Sequence, residues 1–239
     1  MKTASTLTAF ILGLFLFLGL VSLGYQLGSA AIDFKQLERS VTVKGLAEQE
    51  VMADVVIWPI QFVVADNDLQ SLYKTIDEGT TKIKTFLSEN GIDSSDITFA
   101  APAITDKSAQ QWGSDNRAEF RYTATQTVTV YSKQVDQVRS VMSELSALGK
   151  QGIVLVGNNY ESQTEYIYTQ LNDIKPQMIE EATRNAREAA TKFAEDSQSV
   201  LGKIRQASQG QFSINPRDKN NPHIMKVRVV STVEYYLSD

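Results

Sequence analysis

Residues 119–131 read EFRYTATQTVTVY, and their alternation decides the fold class. Phe120, Tyr122, Ala124, Val128 and Val130 fall on one side of an extended chain, and Arg121, Thr123, Thr125, Thr127 and Thr129 on the other. Successive side chains of a strand point to opposite faces. One face of this strand therefore packs on a core and the other meets water, as in an antiparallel sheet.

On the C-terminal side, Ser132 is placed to cap a helix whose apolar face is Val135, Val138, Met142, Leu145 and Leu148 and which Gly149 ends. Residues 152–170 are again extended and rich in Val, Ile and Tyr. A long helix is predicted from Asn172 to Leu201, closed by Gly202, with Pro176 tolerated in its first turn. Its inner stripe (Ile174, Met178, Ala182, Ala186, Ala189, Phe193, Ser197, Val200) is mostly small, which lets a helix lie close to its neighbour. Glu180–Arg184, Arg184–Glu188 and Glu188–Lys192 pair along a solvated outer face. Strands over 203–214 and 224–237, joined by a polar turn-rich loop, complete the chain.

On the N-terminal side, residues 106–117 form a polar loop carrying Trp112. That Trp either folds back on the sheet as part of a hairpin tip or contacts a partner, since Trp is favoured at interface hot spots. Residues 96–105 are extended. Leu69, Leu72, Tyr73, Ile76, Thr80, Ile83 and Leu87 recur at helical spacing, after a cap at Asn67 or Asp68 and before a stop at Asn90-Gly91. Residues 51–65 (VMADVVIWPIQFVVA) form a strand with apolar residues on both faces. Pro59 has no N–H to give and marks an edge or a bulge there. Residues 40–47 (SVTVKGLA) form a further strand, with Gly45 as a bulge or close-approach residue.

The first 32 residues carry one charge, Lys2, and an apolar run from Leu7 to Leu27. A bilayer core of about 30 Å needs about 20 such residues in a helix. The run is longer than the core of an ordinary secretory signal, although Ser29, Ala30 and Ala31 supply a small-residue cleavage site. Residues 1–32 are thus read as a membrane anchor or signal segment, and 33–239 as the folded part. The fold class is α+β: an N-terminal transmembrane helix, then a mainly antiparallel sheet packed with three helices, one long.

Composition narrows the chemistry. With 23 basic and 28 acidic residues the net charge is −5, and no basic tract invites nucleic acid. The absence of cysteine excludes disulfides, thiolate nucleophiles and Cys-ligated metal. His223 is the single histidine and reads as a solvated loop residue, without partners for a triad or a multi-histidine metal site. Asp54, Asp66 and Asp68 are the carboxylates a hydrolase would draw on, at strand ends where turn aspartates are equally expected. There is no nucleophile elbow, phosphate loop or dinucleotide fingerprint. No catalytic, cofactor-binding or metal-ligating residue is assigned, no cofactor is expected, and Trp112 is the one candidate interaction residue.

Four segments together resemble the SIMPL-domain family of exported bacterial proteins. They are VTVKGLAEQEVMADVVIWPIQF (41–62), YTATQTVTVYSKQVDQVRSVMSELSALG (122–149), the alanine-rich ATRNAREAATKFAEDSQSVLGKIRQAS (182–208) and VRVVSTVEYYL (227–237). Gly45 matches the first glycine of the family's opening strand, Leu46 and Ala47 depart from its glycine-rich continuation, and Ala53 stands where a proline is common. The resemblance implies a periplasmic or surface-exposed domain, links to oxidative stress, ring-like homo-oligomers in some members, and no agreed enzymatic activity. With it, the chain is expected to be a non-enzymatic homo-oligomer held in a bacterial inner membrane by one helix, its C-terminal domain in the periplasm. Cleavage near Ala31 would instead give a secreted protein. A monomeric tethered ligand-binding module and an uncharacterised hydrolase are the alternative functions.

Overall fold

A computed structural model describes residues 3–36, 39–109, 119–157 and 162–238. Trp112 lies outside the described residues. The elements in order are α1 (Thr3–Gln36), β1 (Ser40–Met52), β2 (Val55–Asp66), α2 (Leu69–Glu89), β3 (Ile97–Phe99), β4 (Ala103–Asp106), β5 (Tyr122–Ser132), α3 (Val135–Ser143), α4 (Ser146–Lys150), β6 (Val154–Leu155), β7 (Glu165–Ile167), α5 (Leu171–Asp196), β8 (Val200–Gln209), β9 (Ser213–Pro216) and β10 (Ile224–Ser238). The strands form two sheets. One has the order β1-β10-β8, with β9 also on β10; the other has β3-β5-β2-β6, with β4 also on β5 and β7 also on β2. The fold is α+β, as the alternation of residues 119–131 predicts.

The chain divides into two compact units. The first comprises Met1–Glu48, Lys175–Ser213 and Arg228–Asp239, and the second Gln49–Ile174 and Ile214–Val227.

In the second unit, β2 and β5 pair antiparallel without a break from Val56↔Ser132 to Asp66↔Tyr122. Val56, Trp58, Ile60 and Phe62 share a buried face with Ala124, Val128 and Val130, and α2, α3 and α4 cover it. The Thr side chains of β5 lie on the opposite face and are half-buried. Gln126 interrupts the inner face and is only 5 % exposed; its amide donates to Ala100 O at 2.6 Å. Pro59 sits within the sheet, opposite Thr129. The carbonyl of Gln61 accepts from Val156 N at 2.8 Å, so the odd-numbered residues of β2 turn their backbone polar groups away from β5. On that side β7 pairs with Val55–Ile57 and β6 with Phe62–Val63, leaving Pro59 in the gap, where no donor is needed.

In the first unit, α5 lies against β1 and β10 through Val43, Ala186, Ala190, Val233 and Tyr235. Its buried residues are Met178, Ala182, Ala186, Ala190 and Ala194. The stripe read from the sequence therefore drifts: Ala190 and Ala194 are inside, while Phe193 is 59 % exposed. A Cβ placed on Gly45 would overlap the carbonyl O of Ala182 and the N of Ala186, so β1 meets the helix backbone directly.

Several expected boundaries move. The single helix expected over 135–148 is two, α3 and α4. Gln134 occupies the first cap, and Ser132 Oγ accepts from its N at 3.2 Å. Pro176 lies six residues into α5, not in its first turn, and forgoes one intrahelical bond. α5 stops at Asp196, so Ser197 and Val200 are not helical. The reason lies in the caps. At the end of α2, Ile92 N bonds Leu87 O and Gly91 N bonds Ser88 O; after α4, Ile153 N bonds Leu148 O and Gly152 N bonds Gly149 O. After α5, Ser199 N bonds Ala194 O and Gln198 N bonds Glu195 O. All three are Schellman closures, which need a left-handed residue. Gly91 (φ 81°), Gly152 (φ 84°) and Gln198 (φ 55°) provide it. Gly152 thus does the work assigned to Gly149, and Gln198 the work assigned to Gly202.

Candidate functional site

The three aspartates considered for hydrolysis are each committed to holding the chain. Asp54, in the turn between β1 and β2, accepts from Thr169 N at 2.9 Å and 3.0 Å and from Thr169 Oγ at 2.9 Å. Asp66 Oδ1 accepts from Asp68 N at 2.9 Å, and the Ser71 hydroxyl leads a set of hydrogen bonds that hold its carboxyl below the usual range. Asp68 caps α2 by accepting from Ser71 N at 2.8 Å. A general acid needs a raised pKa; the environment of Asp66 acts in the other direction.

Asn67, between them, ties α2 to the start of β5. Its carbonyl accepts from Arg121 N at 2.9 Å and its amide donates to Glu119 O at 3.4 Å. Arg121 in turn grips Asp106 with two nitrogens, at 3.2 Å and 2.9 Å, and stacks over the Tyr122 ring at 4.8 Å. The Arg121 guanidinium, with Ser108, holds the Asp106 carboxyl far below the ordinary carboxylate range. These contacts pin β4 to the start of β5.

His223 is not the solvated residue the sequence suggests. It is 6 % exposed, with its ring edge-on to Tyr166 at 6.1 Å. Its carbonyl accepts from Ala53 N at 2.9 Å. The preceding loop is wound around Asp218, which accepts from Asn220 N and Asn221 N and pairs with Arg217 at 2.9 Å. Arg217 also reaches Glu50 at 3.4 Å. Burial first, and then the Arg139 charge, push the His223 pKa down; burial pushes the Tyr166 phenol up. Both are neutral near pH 7, and neither is aligned with a nucleophile by any described hydrogen bond. The cluster anchors a loop, and His223 within it can take up a proton in acid.

A small cleft of about 60 Å³ lies between α2 and β6, lined by Phe62, Val63, Gly79, Lys82, Ile153 and Val154. Ligand pockets run from about 300 Å³ upward. Among the described residues no group of three or more His, Asp or Glu side chains is placed to hold a metal ion.

A family model described as SIMPL, a protein of unknown function (DUF541), matches residues 41–234. The chain belongs to the SIMPL family. The match opens at Val41 in β1 and closes at Glu234 in β10. It therefore includes Gly45 and the α5 residues that pack on it. No curated protein matches the chain. The segment ahead of the SIMPL domain is α1, with an apolar span from Thr8 to Ala30 of mean hydropathy 2.1, none of it buried. It fits a single-pass membrane anchor or a signal sequence.

Proposed function

We propose that this SIMPL-family chain is a membrane-tethered, non-enzymatic, extracytoplasmic protein whose folded part self-assembles into a homo-oligomer. The observation that carries this reading is the direct succession of α1 and β1. The helix continues through Ser29, Ala30 and Ala31 to Gln36, and β1, an outer strand of its sheet, begins at Ser40. The apolar span within the helix, Thr8–Ala30, is 23 residues long, longer than the core of about 7–15 residues in a secretory signal, and this favours a retained anchor. Tethering then confines outer strands to one layer beside the bilayer, which raises their effective concentration.

The commitment of Asp54, Asp66 and Asp68 to backbone donors supports a structural role over hydrolysis. The resemblance to exported proteins linked to oxidative stress supports a role in the cell envelope. Trp112 is offered as a contact residue of the assembly, so Trp112→Ala should weaken association without lowering the melting temperature. The tether is tested by the intact mass of protein extracted from membranes, together with protease protection of the folded part in sealed vesicles. An uncleaved N-terminus, with a folded part that added protease digests in spheroplasts and leaves intact in sealed inside-out membrane vesicles, supports it. A mature N-terminus near Ala31 in the soluble fraction refutes it.

A further inference from the structure

Apart from α1, the first unit exposes five large apolar side chains among its described residues: Leu46, Phe193, Val200, Ile204 and Tyr236. Four of them gather toward one end of the β1-β10-β8 sheet. Val200, 59 % exposed, opens β8 opposite Ser238, and Ile204, 48 % exposed, lies opposite Tyr235. Tyr236, 37 % exposed, lies beside Gly202, where a Cβ would come within 3.1 Å of the tyrosine Cβ. Phe193 is in the last turn of α5, which leads through residues 197–199 into β8. Exposed apolar side chains gathered in one place mark an interaction surface.

The same end of the sheet carries the tether. Arg39 O accepts from Leu237 N at 2.9 Å, and Arg39 Nη2 donates to Ser199 Oγ at 3.3 Å. The start of β1 is thus fastened to the end of β10 and to the residue before β8. Chain length then sets how far this end stands from the bilayer. The apolar span of α1 stops at Ala30 and the helix runs on to Gln36, about 9 Å further. The headgroup layer on each side of a bilayer is about 5–8 Å thick. Gln36 therefore emerges at its outer boundary, and Ser40, four residues on, lies at most about 14 Å beyond. The far end of β8, at Gln209, is about 30 Å from Val200 and is under no such constraint.

The geometry points to a second membrane contact beside α1, in which Phe193, Val200, Ile204 and Tyr236 rest in the headgroup–acyl boundary of the bilayer that holds the anchor. This rests on the tether reading and adds a docked orientation to it. Tyr236 suits a boundary that is apolar on one side and wet on the other. Charge contributes little: Lys192 pairs with Glu195 and Arg205 with Glu234, and the exposed Lys203 and Asp196 are of opposite sign. The contact is therefore apolar in origin, and a zwitterionic phospholipid suffices for it.

The absence of cysteine makes site-specific labelling possible. Leu16→Cys in α1, Val200→Cys at the near end of β8 and Ser208→Cys toward its far end are each introduced into the full-length protein. Each variant carries an environment-sensitive fluorophore and is reconstituted into phosphatidylcholine vesicles. Some vesicles hold lipid with a nitroxide on a shallow acyl carbon or the headgroup, and others with one at mid-chain. Circular dichroism and thermal unfolding report the fold of each variant. The Leu16 label should be quenched by the mid-chain nitroxide. The Val200 label should lose most of its emission to the shallow nitroxide, and the Ser208 label should lose little. Adding Phe193→Asp to the Val200-labelled chain should reduce that loss without unfolding it. A quenched Leu16 label beside an unquenched Val200 label would overturn the contact while leaving the tether standing. A Val200 label shielded from water yet unquenched by lipid would give the patch to protein and overturn the contact as well. Equal quenching at Val200 and Ser208 would replace it with a domain lying flat on the surface. An unquenched Leu16 label would remove the tether and the contact together.

Discussion

Gly45 of β1 lies against the backbone of α5 where Ala182 and Ala186 face it, and a Cβ on Gly45 would stand 2.9 Å from Ala186 Cβ. More decisively, it would overlap the carbonyl of Ala182, which no rotamer change can move. Gly45→Ala should therefore cost about 2–4 kcal/mol, as overpacking against rigid structure does. Because the obstacle is backbone, adding Ala186→Gly should not restore stability. Thermal unfolding of both variants in detergent checks this, and full rescue by the double change would show that the contact is made by side chains.

Gly79 in α2 presents the opposite case. A Cβ there would meet Phe62 Cε2 at 2.8 Å, the edge of a ring on β2. Alanine gains about 1 kcal/mol of helix propensity over glycine, which the ring contact opposes. Gly79→Ala should be destabilising by about 1–2 kcal/mol in the native background and neutral or stabilising beside Phe62→Leu. A double-mutant cycle measures the coupling; additivity would mean that the ring moves aside freely.

Gln198 holds φ at 55° to close α5, a conformation that costs a residue with a Cβ about 1 kcal/mol and glycine little. Gln198→Gly should raise stability by up to about 1 kcal/mol, and Gly152→Ala should lower it by a similar amount. Chemical denaturation midpoints at constant slope decide both.

Much of this architecture is legible in the sequence because its causes are local. The period of two in β2 and β5 places Val56, Trp58, Ile60, Phe62, Val128 and Val130 on one face without reference to anything else. Asp68 announces the start of α2 by its side-chain chemistry. Gly45 marks a close approach, although its partner is visible only in the fold. The end of α5 is hidden because Ser197 and Val200 continue its spacing, and nothing in a glutamine signals the left-handed turn that stops it. The burial of His223 is hidden for a different reason. It depends on neighbours such as Tyr166, which the fold alone brings near. Gln126 on the inner face of β5 is likewise explained only by the Ala100 carbonyl it meets.

His223 sets a sign for pH dependence. Its folded pKa lies below the ordinary 6.5, so the folded state binds fewer protons than the unfolded one once that value is reached. Its contribution is fully present above 6.5 and is lost as pH falls toward the depressed folded value. The depressed carboxylates, Asp66, Asp106 and Asp218, lose their contributions only as pH falls below about 4. Between about pH 6.5 and 4.5 the fall in melting temperature should therefore be shallower in His223→Gln than in the native chain. Parallel curves over that interval would show that another group titrates.

The central claim is that tethered copies of this domain assemble, and the mass of the full-length protein in mild detergent tests it most directly. Light scattering, corrected for bound detergent, should give a single species at a fixed multiple of the 26.5 kDa chain, unchanged on dilution. A mass of one chain across the same concentrations would contradict the account.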